Sequence, residues 1–398
     1  MRILMISFYF QPDLSAGSFR STALAEVLSA KIGKDHEMHV LTTMPNRYRS
    51  YNAKPPQLEI RGNLHIRRIP LPQHRSGMLD QARAFLTFAW AVLRQTTCKR
   101  YDLVFATSSR LMTAALSAFV AQRGNALLYL DIRDIFTDTL SDLFLGKPQR
   151  FVIPLLRIIE KKTIGRAARI NLVSEGFIEY FQRIRKNLEY RTFTNGIDEV
   201  FLRSQFDVPH SANKRKIILY AGNIGDGQGL DRIIPDAATP LKDDFEFWIV
   251  GDGGRRPKLE ALLREKLISN VHLMDPVPRE KLVKLYAMAD VLFLHLNDFP
   301  AFHKVLPSKI FEYAATGKPV LAGVSGYSRQ FIANHVPNAA LFYPCDHRGL
   351  VAALGRLEFS TINRERFTRQ FSRKKIIRNL ADDVLELANL STQQEIWL

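Results

Sequence analysis

Short apolar runs alternate with longer helical patterns along almost the whole chain, and the series begins twice. The first begins at Arg2–Ser7 and gives strand candidates Ile3–Tyr9, His39–Thr42, His65–Ile69, Leu103–Ala106, Ala126–Leu130 and Ile170–Val173. The second begins after the polar stretch Arg203–Arg215, with Lys216–Ala221, Phe245–Val250, Val271–Met274, Val291–Leu296 and Val320–Ala322. Helix patterns lie between them: Ser18–Lys31, Leu230–Ala237, Pro257–Lys266, Arg279–Met288 and Lys309–Ala315. Such alternation calls for parallel sheets covered on both faces by helices. The restart calls for two doubly wound α/β domains, residues 1–200 and 201–375, and a C-terminal helix at about 376–392 is expected to pack back on the first. The Asn-Gly turn in TNGID, Thr194–Asp198, places the hinge between about Asn195 and Lys214. Sheets of this kind bind ligands beyond the carboxyl ends of their strands, so two facing domains would leave a cleft there.

Charge narrows the ligand. The 398 residues carry 56 Lys and Arg against 39 Asp and Glu, a net charge of +17. Most of that excess lies in residues 1–200. Such a field attracts phosphates: nucleic acid, anionic lipid or a nucleotide. The only cysteines, Cys98 and Cys345, are too few for a zinc cluster and read as free thiols of a reducing compartment. The opening MRILMISFYF reads as a buried first strand rather than a signal peptide, so an intracellular protein is expected. The run Ala84–Leu93, flanked by Arg83 and Arg94, is far short of the roughly 20 residues a bilayer needs. It reads as a core helix or as an interfacial one with Trp90 near the headgroups. A second basic, helically spaced stretch runs from Gln149 to Ile170 and adds to a possible membrane surface.

The candidate chemistry sits where strands end. Gly17 lies in the loop before a helix that Ser18 could cap, and a helix start approached by glycine can bind an anion. Arg20, one step inside, favours phosphate. After Ala221 comes GNIGDGQG, with glycines at 222, 225, 227 and 229, and GDGG at 251–254 follows the next strand. Many glycines cost backbone entropy, and a close approach of backbone to ligand would explain them. Neither loop has the dinucleotide or Walker pattern. In Leu306–Gly323, LPSKIFEYAATGKPVLAG, Ser308 reads as a helix cap and Lys309 as a first-turn cation that opposes the helix dipole. A bound phosphate would reverse that penalty. Glu312 could accept two hydrogen bonds from a ribose diol.

With these motifs in place the chain resembles the retaining glycosyltransferases of family 4, which have the GT-B fold of two Rossmann-like domains facing across a cleft. The likeness runs from MRILMIS and its glycine loop through TNGID, YAGNIG, FWIVGDG and VPREKLVKLYAMADVLFLHL to SKIFEYAATGKPVLA. The PSKIFEYAATGKP form resembles enzymes of bacterial surface-polysaccharide assembly (O-antigen or capsule), N-acetyl-L-fucosamine transferases among them. The resemblance implies a hexosyl or N-acetylhexosaminyl transferase with a nucleotide-sugar donor in the second domain and an acceptor in the first. Backbone at Gly222, Asn223 and Gly225 and amides at Pro307, Ser308 and Lys309 would hold the diphosphate, with Gly251 beside them. Glu312 would hold the ribose, and Val277 would lie against the base. The acceptor side would include Gly17, Arg20, Arg133 and Asp134, with Asp134 near the reacting centre and Lys309 and Glu312 completing the catalytic set. Uridine is the base expected from family frequency.

Three positions depart from that pattern. Asn223 and Gln228 stand where the family usually has an Arg and a Lys for phosphate, and Lys304 stands where a glutamate usually faces the donor sugar. The usual catalytic-loop His is absent near Asp134. Lys309 and Lys304 are then the candidate replacement cations. With no D-x-D sequence to hold a divalent ion, no metal and no other cofactor is expected. The expected partners are the nucleotide sugar, a polyprenyl-diphosphate-linked or other glycan acceptor, and an anionic membrane surface, with the protein peripheral on the cytoplasmic face. Competing readings are a GT-B-shaped sugar-nucleotide epimerase or hydrolase, a non-catalytic polyanion-binding protein, and a Rossmann dehydrogenase. The chain has no basic–aromatic RNA motif, zinc finger or long basic helix, so nucleic acid is not expected.

Overall fold

The structure is a computed structural model that describes residues 1–13, 15–46, 53–72, 78–108, 110–143, 151–206 and 215–395. Part of the expected hinge, 207–214, lies outside the described residues, as do Gln149 and Arg150 of the basic stretch. The chain divides into two compact units, Met1–Thr194 with Ile376–Leu398, and Asn195–Lys375. Each is a parallel-sheet α/β unit.

The first unit runs β1 (Arg2–Ile6), α1 (Ala16–Ile32), β2 (Glu37–Thr43), β3 (Leu58–Arg61), β4 (Leu64–Ile69), α2 (Met78–Thr96) and β5 (Leu103–Ser108). It continues through α3 (Leu111–Arg123), β6 (Leu127–Ile132), α4 (Phe136–Leu143), α5 (Ile153–Arg166), β7 (Arg169–Leu172), α6 (Ile178–Ile184) and β8 (Tyr190–Arg191). The strand order is β3-β4-β2-β1-β5-β6-β7-β8, and only the β3–β4 pair is antiparallel. The central strand β5 is buried along its whole length, and β6 is buried except at its first residue, which is why both read as continuous apolar runs. The order reverses between β1 and β5, so the loops after these strands lie at the switch point where such sheets bind ligands.

Two boundaries differ from the sequence reading, both near this switch point. The first strand stops at Ile6 rather than Tyr9, and the Ser7 hydroxyl donates to the Tyr9 carbonyl at 2.6 Å, closing a turn. The cap of α1 is Ser15, whose extended backbone leaves its Oγ to accept the Ser18 amide at 3.1 Å. Ser18 and Gly17 are therefore inside the helix, not before it.

The second unit runs α7 (Glu199–Arg203), β9 (Lys216–Ala221), α8 (Leu230–Ala238), β10 (Phe245–Val250), α9 (Arg256–Glu265), β11 (Val271–Met274), α10 (Arg279–Met288) and β12 (Val291–His295). It continues through α11 (Lys309–Ala315), β13 (Val320–Gly323), α12 (Gly326–His335), β14 (Ala339–Phe342), α13 (His347–Leu354) and α14 (Glu365–Gln370). Its sheet is parallel throughout, in the order β11-β10-β9-β12-β13-β14, with the switch point between β9 and β12. Ile218, Phe247 and Phe293 from the strands pack with Leu230, Ile233 and Leu259 from the helices in its core.

The last helix, α15 (Arg373–Glu395), crosses back at Lys375–Ile376. Its Ile377, Leu380 and Val384 join Leu24 and Leu28 of α1 over Ile3, Met5 and Phe105 in the first unit's core. Asp383 fixes it there, accepting from Tyr129 OH at 2.7 Å and pairing with Arg169 at 2.9 Å.

Candidate functional site

In the second unit the loops after β9, β10 and β12 interlock at the carboxyl edge of the sheet. The Asn297 amide donates to Gly227 O at 2.8 Å, its side chain donates to Asp226 O at 2.8 Å, and Arg232 donates to Asn297 Oδ1 at 2.6 Å. His295, fully buried at the end of β12, donates through Nδ1 to Gln228 O at 2.6 Å and accepts the Cys345 amide on Nε2 at 2.9 Å. Both ring nitrogens are thus committed to a neutral tautomer, and burial pushes its pKa down to about 4. His295 is structural.

The glycines are explained differently from the sequence reading. A Cβ on Gly251 would lie 1.8 Å from Gly222 O, and one on Gly253 would lie 2.4 Å from Ile224 O. At Gly227 a Cβ would lie 2.9 Å from the Phe302 ring. At these positions the close approach is to the protein's own loops rather than to a ligand. Gly222, Asn223 and Gly225 are half-buried in the loop after β9. Asn223 and Gln228 bond each other side chain to side chain at 2.8 Å, so a neutral pair closes the loop. Asp226 at the loop tip pairs with Arg255, whose Nε lies 2.7 Å away.

The sharpest grouping centres on Glu312 in α11, a helix tied to β9 by the Ala221 amide donating to Tyr313 OH at 3.0 Å. Glu312 is only 6% exposed, unlike an ordinary surface glutamate of a helix. Its Oε2 accepts from Lys309 Nζ at 2.9 Å and from Tyr286 OH at 3.1 Å. Arg279 at the start of α10 faces Oε1 at 3.6 Å. Burial alone would raise its pKa, but Lys309, Arg279 and Arg373 outweigh burial and hold the carboxylate ionised below its usual range. Lys309 is thereby compensated within the protein, which removes the oddity of a cation in the first turn. Ser308 makes no side-chain cap bond, because its own backbone is already helical. Pro307 and Ser308 are half-buried just ahead of the helix, Val277 is half-buried after β11, and Lys304 ends the 3-10 turn Pro300–Lys304.

In the first unit, Gly17 and Arg133 come together: a Cβ on Gly17 would lie 3.6 Å from Arg133 Nε. Asp134 follows, exposed, between β6 and α4. Arg20 is elsewhere. It is 2% exposed, holds Asp131 at 2.9 and 3.0 Å, and donates to the carbonyls of Phe193 and Thr194, both at 2.7 Å. A guanidinium enclosed in this way has no reach to an external phosphate, so the acceptor role read for Arg20 is not carried forward.

Sequence reasoning missed Arg279, Tyr286, Asp198 and Arg373. One signal was available: Arg279, like Lys309, is a cation in a helix's first turn, where the dipole disfavours it.

The family described as glycosyl transferase 4-like domain matches residues 21–196, and the family of glycosyl transferases group 1 matches residues 203–374. WcaI of Escherichia coli (strain K12), named as a candidate colanic acid biosynthesis glycosyl transferase, is 24% identical over 96% of this chain and 100% of its own. Sucrose-phosphate synthase from Thermosynechococcus elongatus superimposes with a TM-score of 0.68 at 16% identity, over 100% of this chain and 98% of that one. HepE of Anabaena, solved in complex with UDP-glucose, gives 0.61 at 15% identity over 100% of both chains.

Proposed function

This chain belongs to the glycosyl transferases, a 4-like domain followed by a group 1 domain, and on that premise we propose that it moves a sugar from a UDP-linked donor, with retention of anomeric configuration, to a hydroxyl of a lipid-linked or oligosaccharide acceptor. The step belongs to assembly of a bacterial surface polysaccharide, in keeping with the colanic acid role in the name of the E. coli relative. The PSKIFEYAATGKP segment favours an N-acetylated 6-deoxy amino sugar as the group transferred.

The observation that carries this reading is Glu312: a buried carboxylate, kept ionised at the carboxyl edge of the second sheet, with Oε1 less engaged than Oε2. Such a group accepts two hydroxyl donors from a ribose diol. The diphosphate is assigned to the amides near Gly222–Gly225 and Pro307–Lys309, with Lys309 and Lys304 as the nearby cations. These fixed dipoles and charges stabilise the leaving group as the bond from C1 to the phosphate oxygen breaks. The acceptor oxygen bonds to C1 on the same face, and its proton passes to the departing phosphate oxygen. No enzymic nucleophile and no divalent ion is required in this scheme. Gly17, Arg133 and Asp134 are assigned to the acceptor. Incubation of a labelled UDP-sugar and acceptor in EDTA is expected to give an acceptor-dependent product of unchanged anomeric configuration. Product formed equally without acceptor would favour an epimerase or hydrolase instead.

The anionic membrane belongs to the same proposal. Helix α3 packs against both α2 and α5, and these three carry exposed apolar side chains: Leu86 and Trp90, Met112 and Phe119, Leu155 and Ile158. Phe151, 90% exposed, stands just before α5. Arg83, Arg94, Arg123, Arg157, Lys161, Lys162 and Arg166 are exposed on the same three helices, whereas Glu160 is buried and Asp80 partly so. Ala84, Phe88 and Val92 make the core side of α2, so that helix is a core and a surface element at once. Among the described residues no helix is long and apolar enough to cross a membrane. Apolar groups ringed by cations suit the surface of an anionic bilayer. Each cation there contributes about 1 kcal/mol, so Lys161→Glu with Lys162→Glu lowers affinity for phosphatidylglycerol vesicles by more than about tenfold. Equal binding to neutral and anionic vesicles would contradict a membrane role.

A further inference from the structure

Arg279 is half-buried at the start of α10 with its guanidinium between two carboxylates. On one side it is ion-paired with Asp198, and on the other it faces Glu312 Oε1 at 3.6 Å. Its face lies 5.6 Å from the centroid of the Phe201 ring. Burial pushes its pKa down to about 10, and the helix dipole also works against a cation there, so the fold spends stability to keep it. Asp198 is itself held from behind. Its Oδ1 is ion-paired with Arg373, whose Nε lies 2.9 Å away, and Arg373 donates to Gly196 O at 3.0 and 3.3 Å.

These anchors lie where the chain enters and leaves the second unit. There the Ile197 amide donates to Phe371 O at 2.8 Å and the Arg373 amide to Ile197 O at 2.9 Å. A Cβ on Gly196 would lie 2.6 Å from Arg373 Cα, so the two segments are in close contact. Arg279 is therefore held by Asp198, and its approach to Glu312 Oε1, at 3.6 Å, is longer than a hydrogen bond, so Oε1 is less engaged than Oε2.

We propose that Arg279 is the positioning residue of Glu312: anchored by Asp198, it keeps Oε1 charged and open to the ribose hydroxyls of a ribonucleoside diphosphate. This rests on the donor-site reading of Glu312 above. The groups facing Glu312 are Lys309 and Tyr313 on its own helix, Tyr286 and Arg279 on α10, and Arg373 beyond Asp198. Of these, Lys309 and Tyr286 engage Oε2. If Arg279 is removed, the burial that opposes ionisation is countered by one cation fewer, and the pKa of Glu312 rises. A protonated Glu312 accepts poorly, so affinity falls as pH falls. If instead Asp198 is neutralised, Arg279 is drawn onto Glu312 and occupies Oε1, so affinity falls at every pH with no new acid limb.

The test uses the full chain and whichever of UDP, GDP and ADP the wild type binds most tightly, titrated from pH 8 to 5.5. For Arg279→Met the ratio of wild-type to variant affinity should grow as the pH falls, by about twofold or more at pH 5.5 relative to pH 8. Arg279→Lys should keep the ratio nearly constant. Asp198→Asn should lower affinity by at least about threefold at all pH values, an order-of-magnitude figure for one misplaced charge-assisted bond. A ratio for Arg279→Met that does not change with pH, or Lys failing as Met does, would reduce Arg279 to a packing role and overturn the proposal. If Arg279→Met does not fold, wild-type-like binding by Asp198→Asn overturns it alone. If the wild type binds none of the three, the donor-site reading falls and this inference with it.

Discussion

Glu312→Gln is expected to weaken ribonucleoside-diphosphate binding by about 30- to 150-fold, the equivalent of about 2–3 kcal/mol, while the protein stays folded. The substitution keeps the shape of the side chain and removes its charge. Hydrogen bonds to an ionised acceptor are roughly twice as strong as those to a neutral one, and two ribose hydroxyls would each lose that advantage. Lys309 and Arg279 lose a counter-charge as well, but Arg279 keeps Asp198 and Lys309 is partly exposed, which limits the damage to stability. The cleanest readout compares UDP with 2′-deoxy-UDP. The wild type should prefer UDP, and Glu312→Gln should bind the two nearly alike, since the missing hydroxyl and the missing charge report one interaction. A preference for UDP that survives in the variant would place the ribose elsewhere.

Arg20→Met should cost the first unit about 3–5 kcal/mol of stability, because it strands Asp131 as a buried charge. Asp131 is 1% exposed, and burial would raise its pKa were it not for Arg20, which holds it below the usual carboxylate range. Asn171 donates to the same carboxylate at 2.6 Å, so one partner remains. The carbonyls of Phe193 and Thr194 lose their guanidinium donors together, at the point where the chain leaves the first unit. Replacing both members of the pair, as in Arg20→Met with Asp131→Leu, should recover part of the loss. Denaturant unfolding measures this directly. A loss of less than about 0.5 kcal/mol, the size of an ordinary surface substitution, would return Arg20 to the list of residues free to meet an anion.

The contrast between Arg20 and Glu312 shows what the residues made legible. The architecture was readable because parallel strands buried on both faces print as apolar runs, and β9, β10, β11, α10 and α11 fall where their periodicity put them. The edge strands β3, β8 and β14, of four, two and four residues, are too short to show a strand period and were not anticipated. Position at a strand end was also readable, which is how Glu312 and the glycine loops were found. Direction was not. Whether Arg20 turns outward to a ligand or inward to Asp131 depends on a partner far along the chain, and local sequence carries no trace of it. The glycines were overread for the same reason: Gly251 needs its small size against Gly222 across two loops, a contact that exists only after the strands align. The Asp198–Arg279–Arg373 group brings together the two ends of the second unit, so it was invisible as a motif.

The most direct measurement is calorimetric titration of the purified protein with UDP, GDP, ADP and TDP, first without divalent ions and then with magnesium. Metal-independent binding of one ribonucleoside diphosphate, with UDP the expected one, and its loss in Glu312→Ala is the predicted result. Absence of binding by all four at millimolar concentration would contradict a nucleotide-sugar site at Glu312, and a polyanion-binding protein on a glycosyl transferase fold would become the better description.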